Sequence, residues 1–142
     1  MKVTVYPGCS LESTASEYMH SLTTVFTLMD IEIEELKDWN CCGASLAIPR
    51  SDMVITLTSK IIRMALEAGA NAIITACPLC HTNLDTIQRE AAVLTDVELN
   101  LPVIFITELM AFAFGEENLS ALWNRHFINP AKILEEAVEA GC

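Results

Sequence analysis

The chain is poor in positive charge. Of its 142 residues only 8 are lysine or arginine, against 19 aspartates and glutamates, for a formal net charge of −11. Such a surface repels phosphate backbones, and no basic cluster offsets the repulsion, so nucleic acid is not an expected partner. Long apolar runs are missing too. The longest, Leu101 to Gly115, is too short for a bilayer and carries Glu108 in its middle, which reads as core rather than membrane insertion. The opening "MKVTVYPGC" holds one lysine and then alternates like a strand, without the apolar stretch of a secretory signal. A cytoplasmic location is therefore the expectation. A glycine-rich phosphate loop, a nucleophile elbow and an HExxH stretch are also lacking, which sets aside the enzyme classes that need them.

What is present is a strongly apolar chain, 52% hydrophobic, of a length that suits one domain able to bury its core without stapling. "KVTVY" at 2–6 alternates with strand period, and Pro7-Gly8 ends it in a turn that presents Cys9. An apolar stripe from Ser10 to Met29 predicts a helix, "IEIEEL" at 31–36 a second strand, and Ser51 to Gly69 a second helix. "NAIITA" at 71–76 reads as a buried central strand, followed by a helix with Pro78 in its first turn that runs on to Leu94. "PVIFI" at 102–106 is a fourth strand, and short helices are expected at about 107–114, 118–124 and 130–140. Alternation of this kind predicts a three-layer α/β fold: a mainly parallel four-stranded sheet with helices on both faces, in a single domain over 1–142. Residues from about 116 to 142 are expected to form a C-terminal helical tail.

Six cysteines in a reducing compartment point to metal or redox chemistry rather than to a disulfide framework. They fall as Cys9, the adjacent pair Cys41 and Cys42, Cys77-Pro-Leu-Cys80, and Cys142 apart at the end, read as a spare thiol. Adjacent cysteines seldom bond to each other, because the small ring forces the peptide between them out of its relaxed trans form. Two thiolates separated by two residues on a helical turn can reach one centre, as at zinc and iron–sulfur sites. Gly43 after the pair permits a sharp turn or a close approach. Five soft ligands from three places are more specific than any one pair.

"YPGCS", "NCCGAS" and "CPLCHTNLD", at these intervals, resemble the cysteine-rich CCG domain found in the B subunits of the heterodisulfide reductase family. That family is similar to parts of thiol:fumarate reductase, of the E component of succinate dehydrogenase and of glycolate oxidase iron–sulfur proteins. The resemblance implies a [4Fe–4S] cluster of noncubane type on Cys9, Cys41, Cys42, Cys77 and Cys80, the fifth thiolate being surplus to the four of an ordinary cubane. It also implies an oxidoreductase component that moves electrons to or from a thiol or disulfide small-molecule substrate, with Cys41 and Cys42 at the reacting centre. A ferredoxin-like iron–sulfur subunit or another electron donor would be its partner. Members usually carry two copies of the motif and this chain has one, so a homodimer or a second CCG subunit is a further expectation.

Other readings of the same residues stay open. "CPLCH" matches a c-type haem attachment signature, but haem leaves Cys9, Cys41 and Cys42 without purpose. Cys77 and Cys80 suit a thioredoxin-like dithiol, and four of the five cysteines suit zinc. A docking subunit of a redox complex without catalysis is another class. His81, beside Cys80, is a candidate proton source at a catalytic site, or else a polar helix residue facing solvent. Trp39 reads as a packing residue, His20 as a boundary residue, and His126 has no evident partner.

Overall fold

Four short strands, β1 (Lys2–Val5), β2 (Glu32–Ile33), β3 (Ala72–Thr75) and β4 (Val103–Phe105), pair in the order β2-β1-β3-β4, every pair parallel. The computed structural model describes residues 1–95 and 98–139, so Cys142 lies outside the described residues. Among the described residues five helices lie between the strands, α1 (Cys9–Thr14), α2 (Ser16–Leu28), α3 (Ser51–Glu67), α4 (Pro78–Thr86) and α5 (Gln88–Thr95), and three follow β4: α6 (Ile106–Ala113), α7 (Ser120–Trp123) and α8 (Ala131–Glu139). A 3-10 turn spans Ala44–Leu46.

Strand alternation sorts the core into two layers. Ala72 and Ile74 of β3, with Val3 and Ile104, meet Leu22 and Phe26 of α2, Leu109 of α6 and Leu134 of α8. On the opposite face Ile73 and Val103, with Tyr6, meet Ile61, Ile62 and Ala65 of α3, Leu84 of α4 and Ala91 of α5. Each valine, leucine, isoleucine or phenylalanine among them contributes on the order of 1.5–3 kcal/mol by leaving water. β3 is central, buried on both faces, which is why it reads as a continuous apolar run. The expected three-layer α/β architecture is the one observed.

The departures from expectation have local causes. The first helix breaks at Ala15, whose φ of −138° and ψ of 55° leave the helical region just after Ser13 and Thr14 donate back to the carbonyls of Cys9 (2.8 Å) and Ser10 (2.6 Å). The helix expected to run unbroken from Pro78 is two, divided at Ile87. Beyond the break, buried Gln88 donates to the Leu84 and Leu101 carbonyls (2.9 and 2.7 Å) and accepts from the Leu101 N–H (3.0 Å), tying α5 to the entry of β4. β2 is shorter than "IEIEEL" suggests, because the Thr4 hydroxyl takes the Glu34 carbonyl (3.1 Å) where the ladder would continue. After β4 the chain packs back: Leu119 and Leu134 are buried.

From β1 the chain leaves through α2 to one face, and from β3 through α4 to the other. Neighbouring strands whose exits diverge leave a crevice at their carboxyl ends, the usual place for a ligand in such sheets. Cys9 and Cys77 stand at those two ends.

Candidate metal centre

Three segments carry cysteine to this crevice. β1 continues for one more ladder bond, Tyr6 N–H to the Ile74 carbonyl (2.8 Å), before Pro7 and Gly8 turn the chain and Cys9 begins α1. Gly8 has φ +92°, and a Cβ there would lie 3.0 Å from Cys77 Cβ and 3.1 Å from Cys80 Sγ. Only glycine lets the turn after β1 approach the turn after β3 so closely. Cys77 is the N-cap of α4 and Cys80 lies in its first turn, as Pro78 at the start of the helix suggested.

The third segment is the loop after β2. The Tyr6 hydroxyl donates to the Asn40 carbonyl at 2.7 Å, and the Asn40 amide donates to the carbonyls of Cys41 (3.0 Å) and Leu57 (3.2 Å). Trp39 stacks on the Tyr6 ring, with centroids 6.0 Å apart. Gly43, at φ +76°, makes the turn after the pair, and a Cβ there would lie 3.0 Å from Leu57 Cδ1. Both uses expected of that glycine, the turn and the close approach, are therefore present.

The sulfurs form a graded set. Cys42 and Cys80 are buried at the base, 3.4 Å apart; Cys41 and Cys77 are half-buried; Cys9 is exposed at the mouth. All five are free thiols. The hydrogen bond from the Cys80 thiol holds Cys42 down at about 6, against the opposing effect of burial, and the Ala44 N–H and the Asn83 amide favour the same thiolate. Cys80 is pushed far up by that bond and by burial. Cys41 accepts the Gly43 N–H at 3.4 Å, which favours its thiolate, yet burial and the sulfurs of Cys42 and Cys9 outweigh this and raise it. Burial, with the nearby sulfurs of Cys42, Cys80 and Cys41, also raises the Tyr6 hydroxyl, which stays a donor.

The Cys42 thiolate is thus favoured at the expense of Cys80, while Cys41 is held protonated by its neighbours, and a cationic guest would allow all of them to ionise together. Soft sulfur donors from three segments, closed up around a glycine turn, fit an iron–sulfur cluster. They fit a single zinc less well. Sulfurs around one zinc sit about 3.8 Å apart, given Zn–S near 2.3 Å. Among the described residues the three-donor set with all ligand atoms within 4.8 Å is His81, Asp85 and His126, with no cysteine in it.

His81 turns away from solvent. It is half-buried, stacks on Phe105 at 4.1 Å between centroids, and places Nε2 3.1 Å from the Val103 carbonyl. Burial, then the neighbouring His126, lowers its pKa. His126, which lacked a partner in the sequence, has two: Nδ1 lies 2.9 Å from the Val103 carbonyl and Nε2 3.2 Å from Glu108 Oε2. Glu108 caps α6 by accepting the Phe105 N–H at 3.0 Å. Asp85 accepts the N–H groups of Phe127 (2.8 Å) and Ile128 (3.1 Å). Asn83, Asp85 and Tyr6 lie within the motif stretches but were not singled out as site residues. Asn83 and Cys80 are three apart on one helix, a spacing that places both on one face and was the available signal.

Residues 3–85, more than half of the chain, match the cysteine-rich domain family, CCG, and the chain belongs to that family. It is 27% identical over 141 residues to the 8-methylmenaquinol:fumarate reductase membrane anchor subunit of Wolinella succinogenes, covering 94% of this chain and 50% of that protein. It is 25% identical over 125 residues to the B subunit of the ferredoxin/F420H2-dependent CoB-CoM heterodisulfide reductase of Methanosarcina acetivorans, covering 81% of this chain and 42% of that protein. The chain thus spans about half the length of these curated relatives, both of them reductase subunits. Among the described residues no helix is long and apolar enough to cross a membrane.

Proposed function

We propose that the chain is an iron–sulfur redox subunit of a heterodisulfide reductase-like complex. Cys9, Cys41, Cys42, Cys77 and Cys80 would hold a [4Fe–4S] cluster of noncubane type. The observation that carries the reading is the meeting of the three cysteine segments at the carboxyl ends of β1 and β3, with Gly8 against Cys77 and Cys80. Membership of the cysteine-rich domain family and likeness to one component of a heterodisulfide reductase support it. When bound, such a cluster supplies single electrons to a disulfide or accepts them from thiols.

The protein's own part is positioning and shielding. Tyr6, Asn40 and Trp39 hold the Cys41–Cys42 loop against the sheet and keep water from the base of the site, while exposed Cys9 leaves the mouth open. Substrate approaches on the Cys9 side, where Cys41 is half-buried and within reach. His81 is directed to the Val103 carbonyl rather than to the mouth, so its role is to orient α4 and not to deliver protons. A second cysteine-rich motif, on a second copy of the chain or on another subunit, would face this one, and electrons would come from a ferredoxin-like donor. With a net charge of −11, the docking surface of that donor would be basic.

Anaerobic purification with iron and sulfide analysis and electron paramagnetic resonance tests the assignment. About four irons and four sulfides per chain is the expected result. Zinc in their place, or a metal-free protein with five titratable thiols after reconstitution, overturns it.

A further inference from the structure

One polar side chain at the base of the site faces a ligand sulfur directly. Asn83, on α4 one turn beyond Cys80, is 9% exposed. Its Nδ2 lies 3.2 Å from the Cys42 carbonyl and 3.9 Å from Cys42 Sγ. The carbonyl can only accept, so the atom facing it must be the amide nitrogen. One N–H of that nitrogen serves the carbonyl and the other is free to point at the sulfur. Cys42 is 2% exposed, so no bulk water can replace either bond, and a hydrogen bond in such a low-dielectric place is strong.

The two bonds act on different things. Holding the Cys42 carbonyl to α4 fixes the Cys41–Cys42 peptide, and with it the directions in which two adjacent sulfurs diverge. An N–H donated to a ligand thiolate draws electron density from it and favours the more reduced, more negative state of whatever metal it binds. We propose that Asn83 is the positioning residue of the centre, setting where the Cys42 sulfur points and raising the reduction potential of the cluster that this sulfur helps to hold. This rests on the iron–sulfur reading above.

The test compares the wild-type chain with Asn83→Leu, which keeps the size of the side chain and removes the donor. Both are prepared anaerobically, and their midpoint potentials are measured by redox titration followed by electron paramagnetic resonance. Asn83→Leu is expected to shift the midpoint to a more negative value and to change the line shape at unchanged iron content. An unchanged midpoint and line shape overturn the proposal while leaving the iron–sulfur reading intact. A wild-type chain without iron overturns both. If Asn83→Leu does not fold or load, wild-type protein and Asn83→Gln, both labelled with 15N at asparagine, are compared by pulsed paramagnetic resonance, since Asn40 beside Cys41 is labelled in both. A 15N coupling to the centre that is present in the wild type and lost in Asn83→Gln upholds the proposal, and a spectrum that is the same in both sinks it.

Discussion

Helix α4 serves two clusters of polar side chains that differ in one respect. On one side Cys77 and Cys80 meet Cys9, Cys41 and Cys42; on the other His81 and Asp85 meet His126 and Glu108. In the second cluster the groups find partners within the protein: Asp85 takes two backbone N–H groups, His126 bridges the Val103 carbonyl and Glu108, and Glu108 caps α6. In the first, the sulfurs lean mainly on one another, and the strongest consequence is that Cys42 and Cys80 push each other's ionisation in opposite directions. Self-sufficient polar groups are architecture, since nothing further is needed to satisfy them. Mutually frustrated sulfurs are what a cationic guest would resolve.

The comparison breaks if changes on the two sides have the same consequences. The largest effect is expected from Cys42→Ser, which should abolish or transform the iron–sulfur signal while the chain remains folded; unchanged iron content and spectra would remove Cys42 from the ligand set. Asp85→Ala should do the reverse. It strands two backbone donors and loses hydrogen bonds to a charged group, at a cost of about 2–3 kcal/mol in urea unfolding, with iron binding retained by the folded protein. Gly8→Ala tests the close approach of the two turns. The positive φ and the 3.0 Å encounter with Cys77 Cβ should cost roughly 1–3 kcal/mol and lower iron uptake, both read from one preparation.

The smallest effect concerns pH. Burial works against charge on His126, but the hydrogen bond and charge of Glu108 prevail and raise its pKa above the ordinary 6.5. A raised folded-state value means that the His126 contribution is full below about 6.5 and fades as pH rises through the folded value. Glu108 is lowered from 4.5 despite its burial, so its share is present above that value and fades in acid. The stability difference between wild type and His126→Gln should therefore be greatest between these two ordinary values and shrink towards alkaline pH. His81 is shifted the other way by burial and then by His126, so replacing His126 also eases the charging of His81 and trims the gap on the acid side of 6.5. A constant gap across the range would show that the pair does not carry charge.

Much of the crevice was legible in the chain because its signals are local. Pro7-Gly8 closes the strand before Cys9, and Pro78 opens the helix after Cys77, so both cysteines could be assigned to strand ends without coordinates. The breaks at Ala15 and Ile87 were hidden by a helical apolar stripe that continues across them, since neither the turn of the backbone at Ala15 nor the Gln88 clamp disturbs that period. His126 stayed opaque for another reason: its partners Val103 and Glu108 lie on β4 and α6, and no spacing along the chain announces them.

The sequence by itself determined the alternation of strands and helices, hence a parallel sheet, and the placing of sulfur at three turns, because periodicity and turn chemistry act over a few residues. Only the tertiary structure decided that α2 and α4 leave neighbouring strands towards opposite faces, that Cys42 lies against Cys80, and that Asn83 reaches across to Cys42. Those contacts join residues far apart in the chain, and they exist only because the packing of the two core layers holds the helices and loops where they can meet.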